Sequence, residues 1–250
     1  MKNSVILLIL LPIALLSCKD DDPVEDPAPA VQKVRVNIVP EYNGQTFELN
    51  TNYTTQEGYT IQFTKLNVIM TNFSNNGKEL FKSGVYKFAN DKKLLWEGEG
   101  DYASFLSMNA NIGVTADQNH EDPSARPASD PLNILNTDDM HWGWNTGYIF
   151  LMIEGKADTS AAQNGQNMMT FLYHIGKDDF LRTVELSNLH WTQVSSTLHE
   201  TNMYVDIYKV FDGDTSDVDI KLENSSHTMP SQENLSNRII SNFASAFSTE

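Results

Sequence analysis

From position 33 onward, most of the chain alternates between apolar and polar residues, the pattern of half-buried β-strands. The first example is Val34, Val36 and Ile38, which alternate with polar neighbours. A second alternation changes parity between Phe63 and Leu66, and this predicts a bulge or a corner at that point. Further predicted strands follow at 85–88, 148–154, 168–175, 181–186 and 203–210.

Two segments depart from the strand pattern. Residues 119–131 contain three prolines and several small polar residues, which predicts a long loop. Near the C-terminus, apolar residues such as Ile239 and Phe243 recur at helical spacing, so one amphipathic helix is expected to begin near Ser236. Many short strands with turns between them and one terminal helix favour an all-β fold, a single antiparallel β-sandwich over 33–250.

The N-terminus has the features of a bacterial lipoprotein signal. A short basic start precedes an apolar run of twelve residues from Val5 to Leu16, too short to cross a bilayer, which takes about 20 residues. The run ends in Leu-Leu-Ser-Cys, which looks like a lipobox, so 1–17 are expected to be a signal peptide and Cys18 to carry acyl chains. The acidic, proline-rich segment 18–32 is expected to be a disordered tether.

This lipid anchor would place the mature protein on the outer membrane, either at the cell surface or facing the periplasm. The alternative is an ordinary secretory signal in which the cysteine occurs by chance.

Charge and cysteine content exclude several classes of function. The chain has 17 Lys and Arg against 33 Asp and Glu, and no basic cluster, so nucleic acid is not expected as a partner. Cys18 is the only cysteine, which leaves the folded body without disulfides, thiolate metal ligands or a cysteine nucleophile. No zinc-protease, nucleophile-elbow, Walker or dinucleotide motif occurs either. We therefore do not expect an enzyme; a hydrolase built on paired carboxylates has no motif to support it.

An acidic loop near the C-terminus is a candidate calcium site. Asp212, Asp214, Asp217 and Asp219 lie within eight residues, around Gly213. Calcium prefers carboxylate oxygens in a flexible loop, but the glycine and the closing glutamate of an EF-hand are missing. The residues are compatible with a calcium loop or with a solvated acidic turn.

The densest aromatic stretch contains Trp142 and Trp144, just before an apolar strand. Side chains two residues apart on a strand face the same side. The residues alone leave two interpretations. The rings could form a hydrophobic plug at the mouth of the sandwich. They could also be exposed and stack on sugar rings, as in a surface glycan-binding or adhesin-type lipoprotein.

Residues 140–151, Met-His-Trp-Gly-Trp-Asn-Thr-Gly-Tyr-Ile-Phe-Leu, closed by Ile-Glu-Gly at 153–155, resemble the signature of the MbnP-like copper-binding family. Those are exported proteins, first named from methanobactin gene clusters. Further matching phrases follow in the same order, at 100–102, 112–114, 171–176, 181–184, 205–207 and 242–243. The resemblance spans nearly all of 33–250.

The resemblance implies copper handling outside the inner membrane. In some family members a tryptophan is oxidised to kynurenine by a partner protein, a di-haem cytochrome c peroxidase-like protein. Indole offers only an N–H donor, whereas opening its five-membered ring frees an aromatic amine that can join imidazoles at copper. The resemblance implies Trp142 or Trp144 as the modified residue and does not choose between them.

The resemblance also narrows the candidate metal ligands. A histidine that family members often carry near the first strand is missing from 36–42. The copper ligands are therefore expected among His174, His227 and His141, unless the site is incomplete or lost. His174 belongs to the Tyr-His-x-Gly phrase, and His227 lies in the expected downstream stretch. The other three histidines are expected to be ordinary surface or edge residues: His120, His190 and His199.

Overall fold

The structure is a computed structural model that describes residues 30–89, 92–143, 146–213 and 216–249. The signal peptide, Cys18 and nearly all of the tether lie outside the described residues, as do Trp144 and Asp214. From Val31 onward the chain forms one compact unit. In the part that is described, none of the helices has the length and apolar character needed to cross a bilayer.

Short strands dominate the described ranges, and one helix of three turns lies near the C-terminus. The strands are β1 (Lys33–Tyr42), β2 (Gln45–Thr46), β3 (Asn52–Thr54), β4 (Thr60–Asn75), β5 (Lys78–Lys87), β6 (Leu94–Glu99), β7 (Met108–Ile112), β8 (His141–Gly143), β9 (Gly147–Asp158), β10 (Met169–Gly176), β11 (Arg182–Leu186), β12 (Thr192–Gln193), β13 (Leu198–Asp206), β14 (Ser225–Ser226) and β15 (Phe247–Ser248). The helices are α1 (Ala116–Asn119) and α2 (Glu233–Ser245), with 3-10 turns at Tyr102–Ser104, Pro123–Ala125, Asp178–Phe180, Ile207–Val210 and Pro230–Gln232.

Two sheets form the predicted all-β sandwich. The first sheet has the order β12-β13-β1-β2, with β6 paired to β1 and β15 paired to β13. The second has the order β11-β7-β4-β9-β10-β14, with β3 and β5 paired to β4 and β8 paired to β9. Most neighbours are antiparallel, as predicted, but β1 pairs with β13 and β10 with β14 in parallel. These parallel pairs join strands far apart in the sequence, which local patterns do not indicate.

The core lies between the sheets. Val36 and Ile38 contribute from the first sheet, and Phe63, Leu66 and Phe171 from the second, all at most 1% exposed. Full burial of an apolar side chain of this size contributes about 1.5–3 kcal/mol. The core therefore holds the strand alternation in register, because a slip of one residue would turn every apolar side chain outward.

Three local predictions can be compared with the structure. The parity change in β4 is a bulge, because its register against β9 shifts between Phe63 and Lys65. The expected start of the helix near Ser236 was wrong: α2 begins at Glu233, and Leu235 also packs into the core. The strand expected over 203–210 ends at Asp206, whose side chain accepts a hydrogen bond from the Tyr208 N–H (3.1 Å) and caps a 3-10 turn.

Candidate metal centre

The structure brings His174 and His227 together on the outer side of the second sheet. In β10, Phe171, Tyr173 and Ile175 point into the core, so His174 lies on the opposite face. β14 runs parallel to β10 with Tyr173 beside Ser226, and His227 follows at the next step beside His174. The two imidazole centroids are 5.0 Å apart, with the ring planes at 87°.

A strained loop keeps His227 in this place. Thr228 has φ +58°, an unusual conformation for a β-branched residue that costs about 1–3 kcal/mol. Its hydroxyl donates to the His174 carbonyl oxygen (3.0 Å), and its N–H donates to Ser226 Oγ (3.1 Å). Gln232 Oε1 accepts from the backbone N–H of His227 (3.0 Å). These hydrogen bonds offset the strain and tie the loop to the strand that carries His174.

Glu154 is the charged partner of the histidine pair. Its Oε1 lies 2.9 Å from His174 Nε2, and the His174 side chain is 17% exposed. Glu154 belongs to β9 and lies diagonally across the ladder from His174, because Glu154 pairs with Leu172 and His174 pairs with Met152. Partial burial lowers the pKa of His227, and the neighbouring His174 lowers it further. His227 is therefore mostly neutral at neutral pH, which is the form that binds a metal.

Trp142 lies at the end of the strand that carries His174. Its ring is half-buried against the core. A Cβ added at Gly176 would come within 2.9 Å of its Cζ3 atom and within 2.2 Å of the Tyr148 carbonyl oxygen. The Gly176 N–H also donates to the Thr228 hydroxyl (3.4 Å). Gly176 thus leaves the space that the indole ring occupies, and its N–H binds the loop that carries His227.

The family model described as MbnP matches residues 31–230. The chain belongs to the MbnP family. Among solved structures, MbnP from Methylosinus trichosporium is similar with 12% sequence identity and a TM-score of 0.46, covering 73% of this chain and 78% of that chain. No curated protein matches the chain. The resemblance inferred from the Trp-x-Trp phrase is confirmed, and the MbnP family is associated with copper-related systems.

The ring of His141 contacts residues other than His174 and His227. The ring packs edge-on against Tyr148 with centroids 4.9 Å apart, and its Nδ1 accepts from the Gly143 N–H (3.1 Å). Its Nε2 is buried and has no hydrogen-bond partner among the described residues. Burial lowers the pKa of His141, while Asp122 acts in the opposite direction. Of the three candidate ligands in this MbnP family member, His174 and His227 lie in contact with each other, and no described contact joins His141 to either of them.

The half-buried position of Trp142 bears on the glycan interpretation. A sugar-stacking platform needs an exposed ring, whereas the Trp142 side chain is partly buried against the core and one of its ring atoms lies close to Gly176. The plug interpretation fits this ring better. Trp144 lies outside the described residues, so the expected pairing of the two rings stays a prediction.

The acidic loop has a buried carboxylate at its centre. Asp212 is 9% exposed; its Oδ2 accepts from the Gln56 N–H (3.3 Å), and its Oδ1 has no partner within the described ranges. Burial raises the pKa of Asp212 to about 6, with further increases from Glu57 and Asp217. Asp219 accepts instead from the Lys221 N–H (2.9 Å). Calcium binding by Asp212, Asp214, Asp217 and Asp219 stays a prediction.

Sequence reasoning missed Glu154, Gly176 and Thr228 as parts of the candidate centre. A signal for two of them was present, because Glu154 and Gly176 belong to the phrases Ile-Glu-Gly and Tyr-His-x-Gly that carried the resemblance. Thr228 had no such signal. Its role depends on a backbone conformation that glycine or asparagine usually adopts.

Proposed function

We propose that this MbnP family member is an exported, lipid-anchored copper-binding protein without catalysis of its own. The single observation that carries the proposal is the convergence of His174 and His227. Neutral imidazole is the strong copper ligand that remains in a folded body without cysteine. The proposal names these two residues as ligands and Trp142 as the residue that a partner protein oxidises.

Among the residues that the structure describes, two imidazoles alone make an incomplete donor set for copper. With the ring centroids 5.0 Å apart, one ion can contact a nitrogen of each imidazole, since metal–imidazole bonds are about 2.0–2.1 Å long. In the described residues, no group of three or more His, Cys, Asp or Glu is arranged to hold a metal ion. Two imidazoles leave coordination positions open, so the proposal includes a third donor other than the His, Cys, Asp and Glu side chains of the described residues.

Trp142 is the candidate for this third donor. Its ring lies on Gly176, two residues beyond His174 in β10. The indole has no lone pair for a metal. A di-haem, peroxidase-type partner supplied with a peroxide-class oxidant would cleave the C2–C3 bond of the indole with addition of two oxygen atoms. Hydrolysis would then release C2 as formate and leave kynurenine, whose free aromatic amine is the proposed donor. Because the ring is only half-buried, part of it stays accessible to a partner.

Glu154 supports the proposal as the residue that orients His174. A carboxylate bound to one imidazole nitrogen fixes the orientation of the ring and makes its other nitrogen a better ligand. With Nε2 held by Glu154 (2.9 Å), the nitrogen left for copper is Nδ1 of His174. Glu154 then acts through the ligand without contacting the ion.

Copper binding by matched double variants tests this proposal. The protein is co-expressed with its di-haem partner, and its copper content and Cu(II) paramagnetic resonance spectrum are measured. We expect about one copper with nitrogen coupling in the wild type and near-complete loss in His174→Ala/His227→Ala. The control is His190→Ala/His199→Ala, because His199 stacks on Tyr102 (centroids 4.0 Å apart) and His190 lines a cavity on the other sheet.

The pH dependence provides a second readout. Affinity should weaken as pH falls through and below the imidazole range near 6.5, since protons compete for the ligand lone pairs. The lowered pKa of His227 delays that loss to a lower pH than for an ordinary histidine. If the His174/His227 double variant binds copper as tightly as the wild type, the assignment of the ligands is wrong.

A further inference from the structure

The first sheet carries a cavity beside strand β13, whereas the histidine pair belongs to the second sheet. Two short strands pair with β13. Strand β12 pairs with β13 residues 199 and 200, and strand β15 pairs with β13 residues 204 and 205. Between them, at 201–203, none of the described strands pairs with the same edge of β13. A cavity of about 470 Å³ lies there, within the range of about 300–1,000 Å³ typical of small-molecule sites.

Every residue that lines the cavity has a side-chain group able to form hydrogen bonds. Alternate residues of β13, namely Glu200, Asn202 and Tyr204, point outward into it, while Thr201 and Met203 are buried in the core. The remaining lining groups are one carboxylate, one imidazole and two threonine hydroxyls: Glu41, His190, Thr192 and Thr249. The ring of Tyr204 is the single aromatic surface among them.

Two of these groups are held in place by the neighbouring strand β1. Asn37 donates its side-chain amide to Asn202 Oδ1 (3.1 Å), and Arg35 forms an ion pair with Glu200 (3.3 Å). Glu41 is half-buried, and its carboxylate makes no hydrogen bond or ion pair with any described residue. The site therefore combines pre-positioned polar groups with one carboxylate that is free to accept hydrogen bonds.

The chemistry of the lining excludes most classes of ligand. The carboxylate of Glu41 disfavours phosphate, sulfate and acidic sugars, whereas Arg35 offsets the charge of Glu200. The lining combines polar and apolar surface in similar shares, and its many hydrogen-bonding side chains disfavour lipids. A metal ion alone is also disfavoured, since the described carboxylates and imidazoles of the cavity form no group that could hold one. What fits is a ligand rich in hydroxyl groups, whose C–H face packs on Tyr204 while its hydroxyls donate to Glu41 and Glu200.

We infer that this cavity binds an uncharged saccharide. The site belongs to the first sheet, whereas the candidate copper ligands belong to the second, so the inference does not rest on the proposed function. The carboxylate and amide oxygens accept hydrogen bonds from the sugar hydroxyls, and the sugar ring stacks on the ring of Tyr204.

The test is a binding screen on the purified full-length protein, with neutral and acidic oligosaccharides, followed by calorimetry on the best binder. Asn202→Ala should weaken binding at least about five-fold, the equivalent of one hydrogen bond. Tyr204→Ala should abolish it, and Tyr204→Phe, which keeps the ring, should retain most of the affinity. The matched control is Asn111→Ala, an outward asparagine of the second sheet that likewise accepts a side-chain hydrogen bond, from Thr183 (3.2 Å).

Folding of each variant is checked by circular dichroism and by its urea unfolding midpoint. The inference is overturned if no neutral saccharide binds at millimolar concentration, or if acidic saccharides bind as well as neutral ones. It is also overturned if Asn202→Ala and Asn111→Ala bind with the same affinity as the wild type. If Tyr204→Ala fails to fold, the inference is judged by whether Asn202→Ala binds the saccharide more weakly than Asn111→Ala does.

Discussion

Replacing Gly176 by alanine should disturb the contact that holds Trp142 beside the histidine loop. The new Cβ would lie 2.2 Å from the Tyr148 carbonyl oxygen, 3.2 Å from Ile149 Cα and 2.9 Å from the Trp142 ring. Two of these atoms belong to the backbone of β9, which cannot rotate away. We therefore expect the Trp142 ring to move away from Gly176 and the end of β10 to shift as well.

The matched control is Gly84→Ala. Gly84 is also a strand glycine without a left-handed φ, but its added Cβ would meet only the flexible side chain of Leu95 at 2.8 Å, with its carbonyl oxygen at 3.7 Å. Overpacking costs about 1–3 kcal/mol, while alanine gains about 0.4–1 kcal/mol by restricting the unfolded chain. For Gly176→Ala the cost lies near the upper end of that range, because two of the three close atoms belong to the backbone. We therefore expect a net loss of about 2 kcal/mol, or about 4–8 °C in Tm for a chain of this size. Gly84→Ala should stay near the wild type.

The free energy of unfolding is measured by urea denaturation of both variants, followed by circular dichroism. A second readout is the yield of kynurenine at Trp142 after co-expression with the di-haem partner, which should fall only in Gly176→Ala. Equal stability of the two variants, together with equal oxidation, would refute the contact geometry at Gly176.

Three further predictions concern the anchor, the tryptophan and the acidic loop. Wild type should partition with membranes, whereas Cys18→Ala should be released or remain uncleaved; equal membrane association with normal processing would contradict lipidation. Peptide mass spectrometry after co-expression with an active di-haem partner should detect kynurenine at Trp142, and an unmodified Trp142 under those conditions would count against its role. Because burial raises the pKa of Asp212 to about 6, above the unfolded value near 3.9, its contribution to stability should grow as pH falls from about 7 to 4. Asp212→Asn should flatten that pH dependence in urea titrations and stabilise the protein at pH 7 by on the order of 2 kcal/mol; an unchanged profile would argue against a buried, ionised Asp212.

Much of the fold was predictable because strand alternation and helix spacing are local properties. The parity change before Leu66 predicted the β4 bulge, and the spacing of Ile239 and Phe243 predicted α2. Element ends were less predictable. The helix begins at Glu233 because a 3-10 turn at Pro230–Gln232 leads directly into it, and capping geometry of this kind is weakly encoded in residue types.

The candidate site could be predicted only in part. The Tyr-His-x-Gly and Trp-x-Trp phrases pointed to His174 and to Trp142, and His227 followed from its downstream position. The resemblance already favoured His174 and His227 over His141, but it gave no physical reason for that order; in the structure the His141 ring packs on Tyr148. Sequence also gave no reason to place Glu154 on His174, because a diagonal pair across two strands depends on their register.

The sequence by itself determined the fold class, the approximate positions of the longer strands, the absence of thiol chemistry from the folded body and membership of the MbnP family. Each of these depends on residue identity or on spacing within a few residues. Only the tertiary structure decided that His227 lies beside His174, because 53 positions of chain separate them and the parallel pairing of β14 with β10 brings them together. The same holds for the polar cavity beside β13, which exists because two short strands leave an opening along one edge of the sheet.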